Sequence, residues 1–289
     1  MSVIYNYTGE YVHIHHAVDP QPKNDDYPMH VHDNYEILYF VNGNVAYLVE
    51  GSEYPLTPGS LVIMRPSESH KVKILGDRMY ERYSLGFDPS MLAIVDPERR
   101  LLTPFLDHPL GQNNFYPPSV FQNEDIGELF KSMCVPAEDD RERRIAIMIP
   151  LYRLLSMIRR AFLENGGTDP AMLQDNAGPA EKIVAYINKY LFDDLSLDKL
   201  SEQFFLSTSQ ISRLFKQATG SSVWEYITIK RLIEARRKIR EGKSPSDVCS
   251  ACGFRDYSTF FRAYVKRFGV SPKNDAAHNQ AGMPCADLQ

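Results

Sequence analysis

The apolar residues of this 289-residue chain change period part-way along it, and that change limits the fold more than any other feature. Between residues 35 and 90 they alternate or form short blocks closed by turn residues. Tyr35-Glu36-Ile37-Leu38-Tyr39-Phe40-Val41 is β-branched and aromatic, and Asn42-Gly43-Asn44 marks a turn after it. Val45–Val49 follows, then turns at Glu50-Gly51-Ser52 and Thr57-Pro58-Gly59, the block Leu61–Met64, and a further strand over residues 78–87. Short strands at this spacing predict an antiparallel sandwich or barrel. After residue 120 the step becomes three or four: Ile126, Leu129, Phe130, Met133, and then Ile145, Met148, Tyr152, Leu155, Ile158, Phe162. Pro150 predicts a kink or a break in that second helix. The chain is therefore two-domain α+β. The spacing divides it into a strand-rich domain with trailing helices (1–164), a Gly- and Pro-containing linker (165–178), an all-α domain (179–275) and a loose tail (276–289).

The charge divides at the same place. Residues 1–178 carry 15 Lys and Arg against 25 Asp and Glu, whereas residues 179–275 carry 17 against 11, a net of +6. A basic segment behind an acidic one fits a nucleic-acid module joined to a different function. No run of about 18 uncharged apolar residues is present, which gives no membrane span. The first residues lack a basic stretch followed by an apolar one, so the expected location is the cytoplasm. Four cysteines are too few for a disulfide scaffold in a chain of this size.

The all-α segment repeats one scheme. Ser196 can cap a helix bearing Leu197, Leu200 and Phe204, a turn falls at Phe205-Leu206-Ser207, and a second helix carries Ile211, Leu214 and Phe215 to Gly220. Ser246 then starts a short helix through Val248, Cys249 and Cys252, Gly253-Phe254 turns the chain, and Asp256 caps a helix with Phe260, Phe261, Tyr264 and Phe268. Helix, tight turn, helix lays its second helix in the major groove. A helix over residues 222–241 joins the units and spans roughly 30 Å, near the ~34 Å between successive major-groove faces.

These residues resemble the AraC/XylS-type transcription regulators. The first unit matches as Leu206-Ser207-x-Ser209-x-Ile211-Ser212-Arg213-Leu214-Phe215-Lys216-x-x-Thr219-Gly220. The second matches as Cys252-Gly253-Phe254-x-Asp256-x-Ser258-x-Phe260-x-Arg262, Lys266-x-Phe268-Gly269-Val270-Ser271-Pro272. The resemblance implies base-edge contacts from Ser209, Ser212 and Arg213 and from Tyr257, Ser258 and Arg262, with Lys216, Arg255, Lys266 and Arg267 on phosphates. A solvated helix face is the plain alternative for these basic residues. The chain departs from the family after Ser271-Pro272, where Lys273-Asn274-Asp275 replaces a Tyr-Arg, which puts the last helical turn in doubt. Cys249 and Cys252 form a CxxC, but no second pair or nearby His completes a zinc site, and buried structural thiols are the expectation.

In the first domain, His30-x-His32-x-x-x-Glu36, six residues to Gly43, then Pro58-Gly59 and His70 follow one another. Three imidazoles and a carboxylate suit a divalent transition metal. The spacing resembles the two cupin motifs, which implies an antiparallel cupin-like β-barrel binding an effector, often a sugar or related metabolite. Two readings stand for His30, His32, Glu36 and His70: a bound metal, or polar groups lining an effector pocket or packing at the barrel mouth. Tyr39 and Arg65, with Tyr35 and Tyr47, are further pocket candidates. The stripe from Ile145 to Phe162, ringed by Arg141, Arg143, Arg144, Arg153, Arg159 and Arg160, either packs on its own barrel or pairs with a second chain, and the resemblance implies a homodimer through these helices.

The function expected is a cytoplasmic, non-enzymatic regulator. It binds double-stranded DNA under the control of a small-molecule effector, with RNA polymerase as a further partner. The alternative is a metal-dependent cupin enzyme, an isomerase or dioxygenase, with an accessory DNA-binding module.

Overall fold

The computed structural model describes residues 2–108, 110–121, 124–165, 179–219 and 221–280. The chain forms two compact units, Met1–Ala177 and Gly178–Gln289. The proposed linker, but for Asn165, and the last nine residues of the proposed tail lie outside the described residues.

Among the described residues the first unit has nine strands: β1 Ser2–Thr8, β2 Val12–Asp19, β3 Tyr35–Asn42, β4 Val45–Val49, β5 Ser52–Pro55, β6 Leu61–Met64, β7 His70–Ile74, β8 Tyr80–Phe87 and β9 Phe115–Tyr116. They make two antiparallel sheets, β1-β2-β8-β3-β6-β9 and β5-β4-β7. Closure into a single barrel is not seen among the described residues. Alternation along the six-stranded sheet serves two cores, because successive side chains point to opposite faces. Ile14, Ile37, Ile63, Tyr83 and Leu85 face the helices. Leu38, Phe40, Val62, Met64 and Tyr80 face the other way, and join Val45, Tyr47, Val49 and Val72 of the second sheet. This explains why β3 reads as a continuous apolar block: both of its faces are buried.

Three helices follow: α1 Thr103–Leu106, α2 Ile126–Met133 and α3 Asp140–Asn165. Asp125 caps α2 by accepting from the Glu128 N–H at 3.0 Å. Phe130 of α2 is fully buried and stacks on Tyr39 with centroids 5.1 Å apart. α3 continues through Pro150. A proline removes one hydrogen bond, while fully buried Ile147 and Leu151 anchor the turns on either side. The buried face of α3 is Ile147, Leu151, Leu154, Leu155, Ile158 and Ala161, with Tyr152 and Phe162 of the expected stripe packed at its edge. Ile145 and Ile149 are exposed instead, at 52% and 67%.

The second unit is all-α: α4 Pro179–Lys189, α5 Leu197–Phe204, α6 Thr208–Thr219, α7 Val223–Arg240, α8 Pro245–Ala251, α9 Tyr257–Phe268 and α10 Pro272–Gln280. Ser196, Ser222, Ser244 and Asp256 each accept an N–H of the first turn of their helix. The cap of α8 is Ser244, not Ser246, because Pro245 occupies the first helical position, where no N–H is needed. The chain beyond residue 275 does not loosen at once: α10 runs to Gln280, held by Asp275. That buried carboxylate accepts from Arg236 Nε at 2.7 Å, Tyr264 Oη at 2.8 Å and Arg240 Nε at 3.3 Å. It clamps α10 to α7 and α9 where the sequence leaves its family pattern. Cys249 and Cys252 are buried free thiols in the α7–α9 core, and burial pushes the Cys252 thiol up to about 11.

Candidate ligand centre and nucleic-acid interface

The first site gathers where β3, β7 and the segment before β3 meet. His30 pairs with His70 through an isolated backbone bridge, and β3 starts at Tyr35, which brings Glu36 between them. One ligand atom from each of His30, His32, Glu36 and His70 lies within 4.8 Å of the others. Each histidine is oriented by a carbonyl that can only accept. His30 Nδ1 is 3.2 Å from Pro28 O, His32 Nδ1 3.0 Å from Asn34 O, and His70 Nδ1 2.8 Å from Glu68 O. All three Nδ1 atoms are therefore protonated donors, and the three Nε2 atoms are left to the cluster, the orientation that second-shell carbonyls impose on metal-binding histidines.

Electrostatics in the cluster centre on Glu36. Burial alone would raise its carboxyl, but the His32 and His70 side chains outweigh that and hold it well below the ordinary value. His32 Nε2 lies 2.5 Å from Glu36 Oε2, and this bond lifts the imidazole above its ordinary value against burial. His30, close to His70, is pushed by burial and by that neighbour down to about 4. His70 is fully buried; its Nε2 stands 3.4 Å from Glu36 Oε2 and has no hydrogen-bond partner among the described residues. An orphaned, solvent-shielded imidazole nitrogen aimed at a carboxylate, with two further imidazoles beside it, fits a divalent transition metal in its donor set and orientation. When bound, such an ion supplies Lewis acidity and open positions for oxygen donors.

The cluster continues along the inward face of the large sheet. Strand register sets His13, Gly86 and Glu36 in one row, His15, Ser84 and Leu38 in the next, and Ala17, Arg82 and Phe40 in a third. Ser84 Oγ donates to Glu36 Oε1 at 2.5 Å. Gly86 is required by close approach: a Cβ there would stand 1.9 Å from the His13 ring and 2.3 Å from Asn34 Nδ2. Burial lowers the imidazoles of both His13 and His15. None of His13, His15, Arg82 and Ser84 is marked by the cupin spacing; the signal available was the His13/His15 alternation in β2. Of the pocket candidates, Tyr47 lies here, stacked on His70. Tyr35 and Tyr39 lie on the opposite sheet face, Tyr39 against Phe130. Arg65 donates to Leu106 O and faces Glu68, away from the cluster.

In the second unit α5–α6 and α8–α9 are two helix–turn–helix pairs, and α7 is the spacer between them. Its 18 residues span about 27 Å. Arg231 of α7 holds both pairs to the spacer: Nε and Nη2 donate to Leu191 O and Asp193 O before α5, and Nη1 to Gly253 O before α9. Gly253, at φ 75°, has no room for a Cβ, which would stand 2.7 Å from Phe192 O. On α6, Ile211 and Phe215 are buried while Ser209, Ser212, Arg213 and Lys216 share the exposed face. On α9, Phe260 and Tyr264 are buried while Tyr257, Ser258, Arg262, Lys266 and Arg267 are exposed. Phe261, 39% exposed between them, went unread as a surface residue because its apolar character assigns it to the core. Arg255 pairs with Asp194 at 2.8 Å.

Two helix–turn–helix units on one spacer, behind a double-sheeted cupin-like domain, define a two-domain transcription regulator with a ligand-binding domain. Comparison with known proteins gives the family. Residues 17–155 match the family model of the AraC-like ligand binding domain, and residues 200–277 match that of a helix-turn-helix domain. The transcriptional activator RhaS of Escherichia coli O81 is 24% identical over 264 residues, covering 89% of this chain and 90% of the relative. Among solved structures, ToxT from Vibrio cholerae covers 93% of this chain and 98% of its own, at 10% identity and TM-score 0.38. The DNA-binding domain of AdpA, in complex with a target DNA, covers 37% of this chain and 98% of its own, at 24% identity and TM-score 0.35. The chain belongs to the AraC-type transcription regulators. No helix among the described residues is long and apolar enough to cross a membrane.

Proposed function

We propose that this protein is a cytoplasmic, homodimeric, non-enzymatic activator that senses a small molecule at a divalent metal held by His30, His32, Glu36 and His70. The observation that carries the DNA-binding half is the pair of exposed recognition faces on α6 and α9, with polar and basic side chains at helical spacing over a buried opposite face. Arg213 and Arg262 read guanine edges, the role suited to a bidentate fork. Ser209, Ser212, Tyr257 and Ser258 flank them, and Lys216, Lys266 and Arg267 meet phosphates. Arg255 is reserved for Asp194 until DNA competes for it.

Activation follows if the effector favours one arrangement of the dimer, since a ligand shifts an equilibrium only by its differential affinity for the two states. The dimer forms through the exposed apolar residues of α3, Ile145, Ile149 and Leu163. RhaS is by its name an activator, and contact with RNA polymerase is the matching partner here.

The test is retention of genomic DNA fragments on the full chain at physiological salt. A small set sharing a bipartite site is expected. Arg213→Ala and Arg262→Ala should each weaken binding to such a site by ~1–3 kcal/mol. Unchanged operator affinity in both variants, or retention of all fragments in a purely salt-dependent way, rules the reading out.

A further inference from the structure

We propose that the molecule sensed between the two sheets is a polyhydroxy carboxylate of about hexose size, such as a uronate or aldonate, with its carboxylate on Arg82 and an oxygen pair at the far end on the metal cluster. This rests on the metal reading above and adds the chemical class of the ligand.

The polar rows of the inward sheet face set the shape. Glu36 and Arg82 stand at opposite ends of one strip, four residues apart along β8, a rise of about 13 Å. The Glu36 carboxylate already reaches the middle row, because it accepts from Ser84. The remaining spacing along the strand is roughly two residues or ~7 Å, with Ser84 and His15 as its polar groups beside Leu38 and Phe40. This strip offers hydroxyl and imidazole groups to a chain of alcohols and a cation to its end.

The Arg82 guanidinium is placed by aromatic faces: its carbon lies 4.8 Å from the Tyr80 ring centre and 5.3 Å from that of Tyr27. A stacked guanidinium presents a planar edge of N–H donors, which matches a carboxylate in two parallel bonds. Beside it, the Tyr80 hydroxyl is fully buried and has no hydrogen-bond partner among the described residues. A buried phenol of this kind calls for a polar atom that those residues do not supply. Tyr80 and Tyr47, both in the core between the sheets, wall the strip on its apolar side.

Charge favours an anion over a neutral sugar. Among the described residues, Glu36, Asp19 and Arg82 are charged groups of this sheet face, with Asp19 accepting from the Tyr27 hydroxyl at 2.7 Å. A divalent ion at the histidines adds positive charge on the same face as the Arg82 guanidinium, in a site screened from water, and such a charge attracts an anion.

The experiment uses the full chain loaded with Co(II), whose visible absorption reports its coordination. Ligand-free protein should show the band, and His30→Ala should lose it. Three matched pairs are then titrated: galacturonate with galactose, glucuronate with glucose, gluconate with sorbitol. At least one acid should change the band and bind tenfold or more tightly than its neutral partner. Arg82→Gln should erase that preference while keeping the ligand-free band. Tyr80→Phe, an isosteric change, should weaken the same acid severalfold with the band kept. A band that no acid alters, or that neutral partners alter equally well, overturns the inference and leaves the metal reading standing. Absence of any band in the wild type removes the metal reading, and this inference with it.

Discussion

Removing the Asp275 carboxylate should loosen the whole C-terminal unit, although the residue lies only five positions before the end of α10. Asp275 is 4% exposed and receives two guanidiniums and a phenol from α7 and α9. Breaking a buried ion pair by deleting one partner costs ~3–5 kcal/mol, because the remaining charge stays without compensation. Here the remaining side chains are partly solvated, Arg236 at 19% and Arg240 at 34% exposed. The expected cost of Asp275→Ala is therefore about 2–3 kcal/mol, with some of it from the Tyr264 hydroxyl, which loses its acceptor. The assay is urea unfolding followed by tryptophan emission. Trp224 is the single tryptophan of the chain and sits at the start of α7, so the signal belongs to this unit. The pH dependence gives an independent check. Burial would raise the Asp275 carboxyl, but Arg236 and Tyr264 outweigh it and hold it below the ordinary value. A depressed folded-state value means the stability is present at neutral pH and is lost as the pH falls through that value. Acidification below about pH 4 should thus destabilise the wild type more than Asp275→Asn. A loss under about 0.5 kcal/mol in Asp275→Ala, the range of an ordinary surface change, would refute the clamp.

The first unit should respond to pH in the opposite sense. Burial pushes the Glu68 carboxyl up to about 7 against the N–H donors of Arg65 and Gly111, so its contribution to stability is full below its ordinary value and is lost as the pH rises through 7. Thermal unfolding followed by near-ultraviolet dichroism should show this decline between pH 5 and 8, worth about 2–3 kcal/mol, and Glu68→Gln should flatten it; equal slopes in both proteins count against it. Ile149→Asp puts a charge at the centre of the exposed apolar face of α3 and should convert a dimer to a monomer in sedimentation at micromolar concentration; an unchanged dimer excludes that face.

Sequence reading captured the elements whose pattern follows from local chemistry. β3, β4, β6 and β8 were legible because β-branched and aromatic residues are bounded by Asn-Gly and Pro-Gly turns. α9 was legible because Asp256 and Gly269 mark its ends. β2 was not read, because its inward side carries His13 and His15 where a strand ordinarily shows apolar residues. The helix-facing set Val12 and Ile14 is interrupted too, by His16. The expected stripe on α3 meets the core through Tyr152, Leu155, Ile158 and Phe162, but its first residue Ile145 is exposed and Ile147, Leu151 and Leu154 are buried as well, because apolar residues occur nearly all round that helix and periodicity alone does not choose among them. The four clustered side chains were legible from spacing. The strip leading to Arg82 was not, because it depends on which residues of β2, β8 and β3 lie side by side, and pairing between residues far apart in the sequence leaves no local trace.

That pairing has one more consequence. His13, His15, Ser84, Arg82 and Glu36 share one face of the β2–β8–β3 ladder, and Ile14, Tyr83, Leu85 and Ile37 share the other. A slip of one residue in either pairing turns every side chain of a strand over. It would bury an arginine and two histidines against the helices and turn apolar side chains toward the cluster. Ligand recognition and the helix-facing core are thus two readings of a single alignment. A misaligned molecule loses both together, and a population able to bind its ligand is by that fact a population correctly folded.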